Sequence, residues 1–265
     1  MQTIKYQSIK QVENQKETLD DFVVIEAPLQ ININNKPYTV VMRTPNNDIE
    51  LIRGLLYAED IYKKKNNFET EIIEEKKDFS TIINCKISEN KLGKGYLNKR
   101  TLLSVSSCGI CGKQELSDIE VSGNQLKNFQ TISSSDIKEM YAKMFSLQKT
   151  FKRSGGSHAA AVFDKNKVLL TIKEDIGRHN AVDKCVGSLL NNNTLKGAKS
   201  LFVSGRVSYE IVSKAFFAKI PIIVAVSACS SLAIDFAKEF GICLIGFSRE
   251  NKMTIYANPQ YINYE

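Results

Sequence analysis

Between residues 159 and 256 the chain alternates short apolar runs with stretches of helical spacing, and this alternation restricts the fold more than any other feature. Strand-like runs fall at 159–163, 168–172, 201–203, 222–226, 242–246 and near 253–256. Helical spacing is expected from about Asn180, over 209–218 and over 232–240. One more helix precedes them: Asp136 and Glu139 resemble a capping pair, Ile137, Met140, Tyr141, Met144 and Leu147 follow at helical spacing, and Gly155-Gly156 ends it. Strands that alternate with helices bury both sheet faces, which predicts a layered α/β domain with a largely parallel or mixed sheet.

The first hundred residues read differently. Strands are expected at 22–26, 29–33 and 37–42, the last two joined by an Asn34-Asn35 turn. Ile49, Ile52, Leu55 and Leu56 then mark one face of a helix, and strands follow at 69–73 and 79–87. This order predicts a smaller α+β unit with one covering helix. The expected division is an N-terminal α+β domain over 1–100, a glycine-containing linker over 101–134 and an α/β domain over 135–265.

No stretch approaches the roughly 20 apolar residues that a membrane span needs. The N-terminal residues carry no apolar core of a secretory signal, so a cytoplasmic protein is expected. The net charge of +7 fits either a lysine-rich surface or a phosphate-rich or acidic partner. The lysines are scattered with no aromatic-interleaved basic stripe, which argues against nucleic acid.

Polar motifs recur just after expected strand ends. Glu174-Asp175-Ile176-Gly177-Arg178-His179-Asn180, Ser204-Gly205-Arg206-Val207-Ser208, Ser227-Ala228-Cys229-Ser230-Ser231 and Phe247-Ser248-Arg249-Glu250-Asn251-Lys252 all lie there, the first three before helices. Ligands of open α/β sheets bind at that edge, where helix N-termini present N–H groups and a positive dipole end. Ser204, Gly205, Arg178, Arg206 and Arg249 therefore suit an anionic ligand. Neither glycine-rich phosphate-loop fingerprint is present. His158, at a strand start, and His179, at a helix start, are the only two histidines. Each is as readily an orienting group as an acid or base, though Asp175, Arg178 and Asn180 crowd His179 in sequence. A Ser/His/Asp triad can be composed, but no G-x-S-x-G elbow supports it.

In a reducing compartment the six cysteines are expected as thiols. Cys85, Cys185 and Cys243 sit in apolar runs and read as core; Cys229 falls in a loop and is undecided. Cys108-Gly109-Ile110-Cys111 alone forms a motif. Zinc would need further paired ligands, and none exist here. A thioredoxin-like pair lacks its usual strand and helix context. A sulfur carrier would use one thiolate to hold a persulfide while its neighbour assists. Between redox and sulfur chemistry the residues alone do not choose.

Several motifs together resemble the FdhD/NarQ family. They are Ser106-Ser107-Cys108-Gly109-Ile110-Cys111-Gly112-Lys113, Gly155-Gly156-Ser157-His158, Glu174-Asp175-Ile176-Gly177-Arg178-His179-Asn180-Ala181-Val182-Asp183-Lys184, Ser204-Gly205-Arg206 and Gly246-Phe247-Ser248-Arg249. The resemblance spans about residues 20–258. It implies an accessory sulfurtransferase for formate dehydrogenase. A cysteine desulfurase would load sulfur as persulfide on Cys108, with Cys111 as partner. The sulfur would pass to a molybdenum or tungsten bis-guanine-dinucleotide pterin cofactor, of which a guanine nucleotide such as GDP is a partial mimic. The resemblance assigns cofactor binding to Phe247, Ser248, Arg249, Glu250, Asn251 and Lys252. It also implies a homodimer and a cytidine-deaminase-like larger domain, α/β with three αβα layers and a mixed sheet, here without that fold's zinc signature. The rival functions are a cofactor-binding chaperone without sulfur transfer and a thiol-disulfide oxidoreductase.

Overall fold

The computed structural model describes residues 1–97, 123–127, 131–249 and 252–264. Cys108, Cys111, Glu250 and Asn251 fall outside them. Among the described residues no helix is long and apolar enough to cross a membrane.

The chain begins with an antiparallel hairpin, β1 (Thr3–Val12) and β2 (Gln15–Val24). This corrects the expected strand at 22–26 and adds a strand that the sequence reading missed. The miss has a physical reason: most residues of β1 and β2 are exposed and only Thr3 is buried, so no buried face imposes a readable alternation. The hairpin packs on α4 (Lys149–Ser154), where the Arg153 guanidinium lies 3.8 Å from the Phe22 ring centre.

β3 (Ala27–Ile33), β4 (Lys36–Arg43), β5 (Glu69–Glu75) and β6 (Thr81–Lys86) form a four-stranded sheet in the order β4-β3-β6-β5. β3 alternates buried and half-buried residues along its whole length. Leu29, Ile31, Ile33, Ile83 and Cys85 pack beneath Leu51, Ile52, Leu55 and Leu56 of α1 (Asp48–Ala58). α2 (Lys94–Leu97) closes the C-terminal end of α1.

The larger sheet runs β13-β12-β11-β10-β8-β9. Its strands are β8 (His158–Phe163), β9 (Leu169–Asp175), β10 (Ser200–Val203), β11 (Ile222–Ala225), β12 (Cys243–Arg249) and β13 (Lys252–Ala257). β10, β11 and β12 are parallel; β8 is antiparallel to both β9 and β10, so β9 points the same way as β10. One face packs on α5 (Arg178–Asn191), α6 (Tyr209–Phe217) and α7 (Ser231–Phe240). The other packs on Ile137, Met140 and Met144 of α3 (Ser134–Ser146), near the short pair β7 (Ile132–Ser133) and β14 (Ile262–Asn263). The sheet is thus mixed and covered on both faces.

A further correction concerns Gly155-Gly156. α3, which opens on a capping box between Ser133 and Asp136, stops at Ser146, and Gly155 ends α4 instead in a left-handed conformation.

The two sheets are joined through α1 and α5. At Gly54 an added Cβ would lie 1.9 Å from the Asp183 carbonyl oxygen. At Gly187 it would lie 1.8 Å from the Glu50 carbonyl oxygen and 2.9 Å from the Gly54 nitrogen. Only hydrogen fits at either position, so the helix backbones touch. α5 is consequently buried almost all round, between the larger sheet and α1. Gly187→Ala is expected to destabilise the fold by about 1–3 kcal/mol or more through overpacking. Gly197→Ala, whose Cβ would meet only Leu170 Cδ1 at 3.9 Å, is expected near neutral. Urea unfolding of both variants checks the contrast.

Candidate functional site

Because β9, β10, β11 and β12 share one direction, their carboxyl ends open on one edge of the sheet. β8 and β13 run the other way, so His158 and Lys252 start at that edge too. The four polar loops therefore meet there. α5, α6 and α7 begin at the same edge. α7 is capped by the Ser230 hydroxyl, which accepts from Ala233 N–H at 3.3 Å. α5 (N-cap Gly177) and α6 (N-cap Ser208) have no side-chain cap.

Gly205 brings the β10 loop against the next two elements. Its Cβ would lie 3.1 Å from His158 Nδ1 and 3.3 Å from Arg178 Cβ. Burial, then the nearby Arg178 charge, hold His158 below the ordinary histidine range, so it stays neutral at neutral pH. Arg178 Nε is buried with no hydrogen-bond partner among the described residues. The Ser204 hydroxyl serves the scaffold, accepting from Ala159 N–H at 2.9 Å.

The β12 end is distorted. Register with β13 shifts between Gly246 and Arg249, and Phe247 adopts a left-handed φ of 51° with its ring 40% exposed. A bulky residue in that conformation costs about 1–2 kcal/mol. Ser248 is buried, whereas Arg249 and Lys252 are exposed. A Cβ on Gly246 would sit 2.9 Å from Tyr256 and 3.1 Å from Cys229 Sγ, so Gly246 lets β13 and the β11 loop close in. Loop and strand are tied by Phe247 N–H donating to the Ser227 carbonyl at 3.0 Å.

The Asp175-to-Lys184 motif divides into two roles, which corrects the expectation that Asp175 and Asn180 attend His179. Asp175 and Lys184 form a fully buried ion pair at 2.7 Å. Asp175 also accepts from the N–H groups of Thr44 (3.1 Å) and Gly177 (2.8 Å) and from Asn180 Nδ2 (2.9 Å). Lys184 Nζ donates to the Thr44 carbonyl at 2.8 Å, and Asn180 Nδ2 to the Met42 carbonyl at 2.8 Å. The Thr44 hydroxyl accepts from Ile176 N–H at 3.0 Å. These groups clamp the end of β4 to the loop carrying Arg178 and His179. Nothing in the sequence pairs Thr44 with residue 175, so this clamp was missed.

His179 turns instead toward α6, with Nε2 3.0 Å from the Ser208 hydroxyl and 3.4 Å from Glu210 Oε2. Glu210 was also missed. Among the described residues the arrangement is not a hydrolytic triad: Ser208 and Glu210 meet the same ring nitrogen, whereas a triad needs serine and carboxylate on opposite ones. Arg206 is exposed beside this group.

Cys85, Cys185 and Cys243 are buried, as expected, and Cys229 is partly so. Burial pushes all four thiols up to about 12. Among the described residues no group of three or more His, Cys, Asp or Glu could hold a metal ion.

The fold and the edge define a mixed α/β protein whose strand ends carry Arg178, Arg206, Arg249 and Lys252. The chain belongs to the FdhD/NarQ family, whose profile matches residues 24–263. It is 39% identical over 264 residues to the sulfur carrier protein FdhD of Sulfolobus acidocaldarius, covering 99% of this chain and 100% of that one. It is 37% identical to the protein of the same name from Sulfurisphaera tokodaii, over 98% and 99% of the two chains. The crystal structure of a candidate formate dehydrogenase accessory protein from Desulfotalea psychrophila shares the fold, with a TM-score of 0.76 at 22% identity. That match covers 99% of this chain and 100% of that one.

Lys184→Met, which strands Asp175 as a buried unpaired charge, is expected to cost about 3–5 kcal/mol. Chemical denaturation would show it.

Proposed function

We propose that this protein is a sulfur carrier in formate dehydrogenase maturation, taking persulfide sulfur from a cysteine desulfurase and delivering it to a bis-guanine-dinucleotide pterin cofactor of molybdenum or tungsten. The observation that carries the reading is the state of the thiols. Four of the six cysteines are held protonated by burial, which leaves the paired Cys108 and Cys111 for sulfur chemistry. The names of the relatives support the same role.

In this mechanism the Cys108 thiolate attacks the terminal sulfur of the desulfurase persulfide. A new S–S bond forms on Cys108, the donor's S–S bond breaks, and the donor cysteine leaves as thiolate. Cys111 then attacks Cys108, releasing the terminal sulfur as sulfide to the cofactor metal, and a cellular dithiol reduces the resulting disulfide.

The strand edge receives the cofactor, which is the substrate here. Arg178, Arg206, Arg249 and Lys252 attract its phosphates, the exposed Phe247 ring offers a stacking surface for a guanine, and Ser204, Gly205, Ser248, His158 and His179 shape the edge. Glu250 and Asn251 complete the assigned segment.

Chain length permits delivery. Gly123 packs against Phe216 and Leu126 against Phe240, at the far ends of α6 and α7. Leu97 ends α2 beside the C-terminal end of α1. Cys108 follows Leu97 by eleven residues, a covalent reach of about 36 Å, while α6 is only about 13 Å long.

We also read the covered six-stranded sheet as a cytidine-deaminase-like framework, the division at 1–100, 101–134 and 135–265 as the domain plan, the working form as a homodimer, and the site of action as the cytoplasm.

Incubation with a cysteine desulfurase and cysteine should add about 32 Da per sulfur, lost on reduction and mapped to Cys108 or Cys111. Absence of that gain overturns the carrier reading. Iodoacetamide on the native protein should label Cys108 and Cys111 ahead of the other four. The Cys108→Ala/Cys111→Ala double variant should fail to support formate dehydrogenase; full support would favour a chaperone. Phe247→Ala should weaken GDP binding by roughly 1–3 kcal/mol in calorimetry.

A further inference from the structure

The contacts of Ser208 fix a proton. Its hydroxyl lies 2.6 Å from Glu210 Oε2, the length of a hydrogen bond donated to a carboxylate. A hydroxyl has one proton, so toward His179 the Ser208 oxygen can only accept. His179 Nε2, 3.0 Å away, must then carry hydrogen, and its 3.4 Å approach to the Glu210 carboxylate demands the same. With Nε2 protonated in either state, the ring gains its charge at Nδ1.

The surrounding charges are largely committed elsewhere. Asp175 pairs with Lys184, Asp183 of α5 with Lys214 of α6 at 2.6 Å, and Lys173 of β9 with Glu50 of α1 at 3.0 Å. His158, at the start of β8, is kept neutral by burial and by Arg178. Among the described residues, the charges left near His179 include Arg178 beside it on α5, the exposed Arg206 ahead of α6 and the Glu210 carboxylate on α6. A carboxylate at an anion site repels its ligand unless a cation cancels it.

We propose that Glu210, acting through Ser208, is a positioning residue that keeps a proton on His179 Nε2, so that the ring charges at Nδ1 and cancels the carboxylate when an anionic ligand occupies the strand edge. This rests on the strand-edge reading of the ligand site. It makes ligand capture stronger as pH falls through the titration of His179.

Two histidines in the whole chain make the test direct. Long-range ¹H–¹⁵N correlation spectra of the labelled protein give two imidazole signals, assigned with His158→Gln. The neutral His179 ring should carry its proton on Nε2. Glu210→Gln should yield a mixture of tautomers, and Glu210→Asp should restore the single form. Should Glu210→Gln fail to fold, Ser208→Ala, which removes only the relay hydroxyl, should also loosen the preference.

GDP affinity is then measured by calorimetry at pH 8 and pH 6. The wild type should gain roughly three- to tenfold more than His179→Gln over that interval, a comparison that removes the nucleotide's own titration. Glu210→Gln should lose most of this extra gain. An Nδ1-protonated ring in the wild type overturns the proposal, as does a Glu210→Gln protein with unchanged tautomer and pH response. If the wild type shows the expected tautomer yet binds no GDP at either pH, the strand-edge reading fails and takes the ligand half of this proposal with it.

Discussion

The contact on which the rest of this structure depends is the crossing of α1 and α5 at Gly54 and Gly187. Two backbones that touch there bring the four-stranded sheet close enough for Met42 and Thr44, at the end of β4, to reach the first two turns of α5. A methyl group at either glycine would move the helices apart and pull those hydrogen bonds open. Beneath the crossing, the Asp175–Lys184 pair is tolerated because every charge finds partners: the carboxylate has four and the ammonium two. Removing one partner is costly because the other charge stays buried.

That clamp explains why one short motif both holds the two sheets together and presents side chains at the strand edge. Asp175, Asn180 and Lys184 face the smaller sheet and hold the loop. Arg178 and His179, carried by the same turn, are thereby offered to the strand edge. The fold places strain and exposure at the opposite side of that edge, where Phe247 sits in a left-handed conformation with an uncovered ring. The edge is thus rigidly supported on one flank and carries a strained, exposed aromatic on the other.

Much of this was legible in the sequence. The strands and helices of the larger sheet appear at nearly the expected positions, since period-two and helical patterns persist wherever one face is buried. The β1–β2 hairpin was not legible, because exposed strands need no alternation. The end of α3 was misplaced because glycine punctuation at residues 155–156 belongs to the next helix. Of the site, the loops following β9 to β12 were found from their small and basic residues, while Thr44 and Glu210 carried no local signal. Thr44 looks like part of a turn, and Glu210 like an ordinary first-turn acid on a helix.

The sequence by itself determined the element types of the larger sheet and the helices α5 to α7, the polar loops at strand ends, the buried character of Cys85, Cys185 and Cys243, and the membership of the FdhD/NarQ family that its motifs proclaim. These are local properties: periodicity, composition and spacing record them directly. Tertiary structure decided that four loops share one edge, that Asp175 binds a threonine 131 positions away, and that His179 answers to Glu210. Those facts depend on strand direction and on how near two helices can approach. Both are set by packing between segments far apart in the chain, which no local pattern encodes.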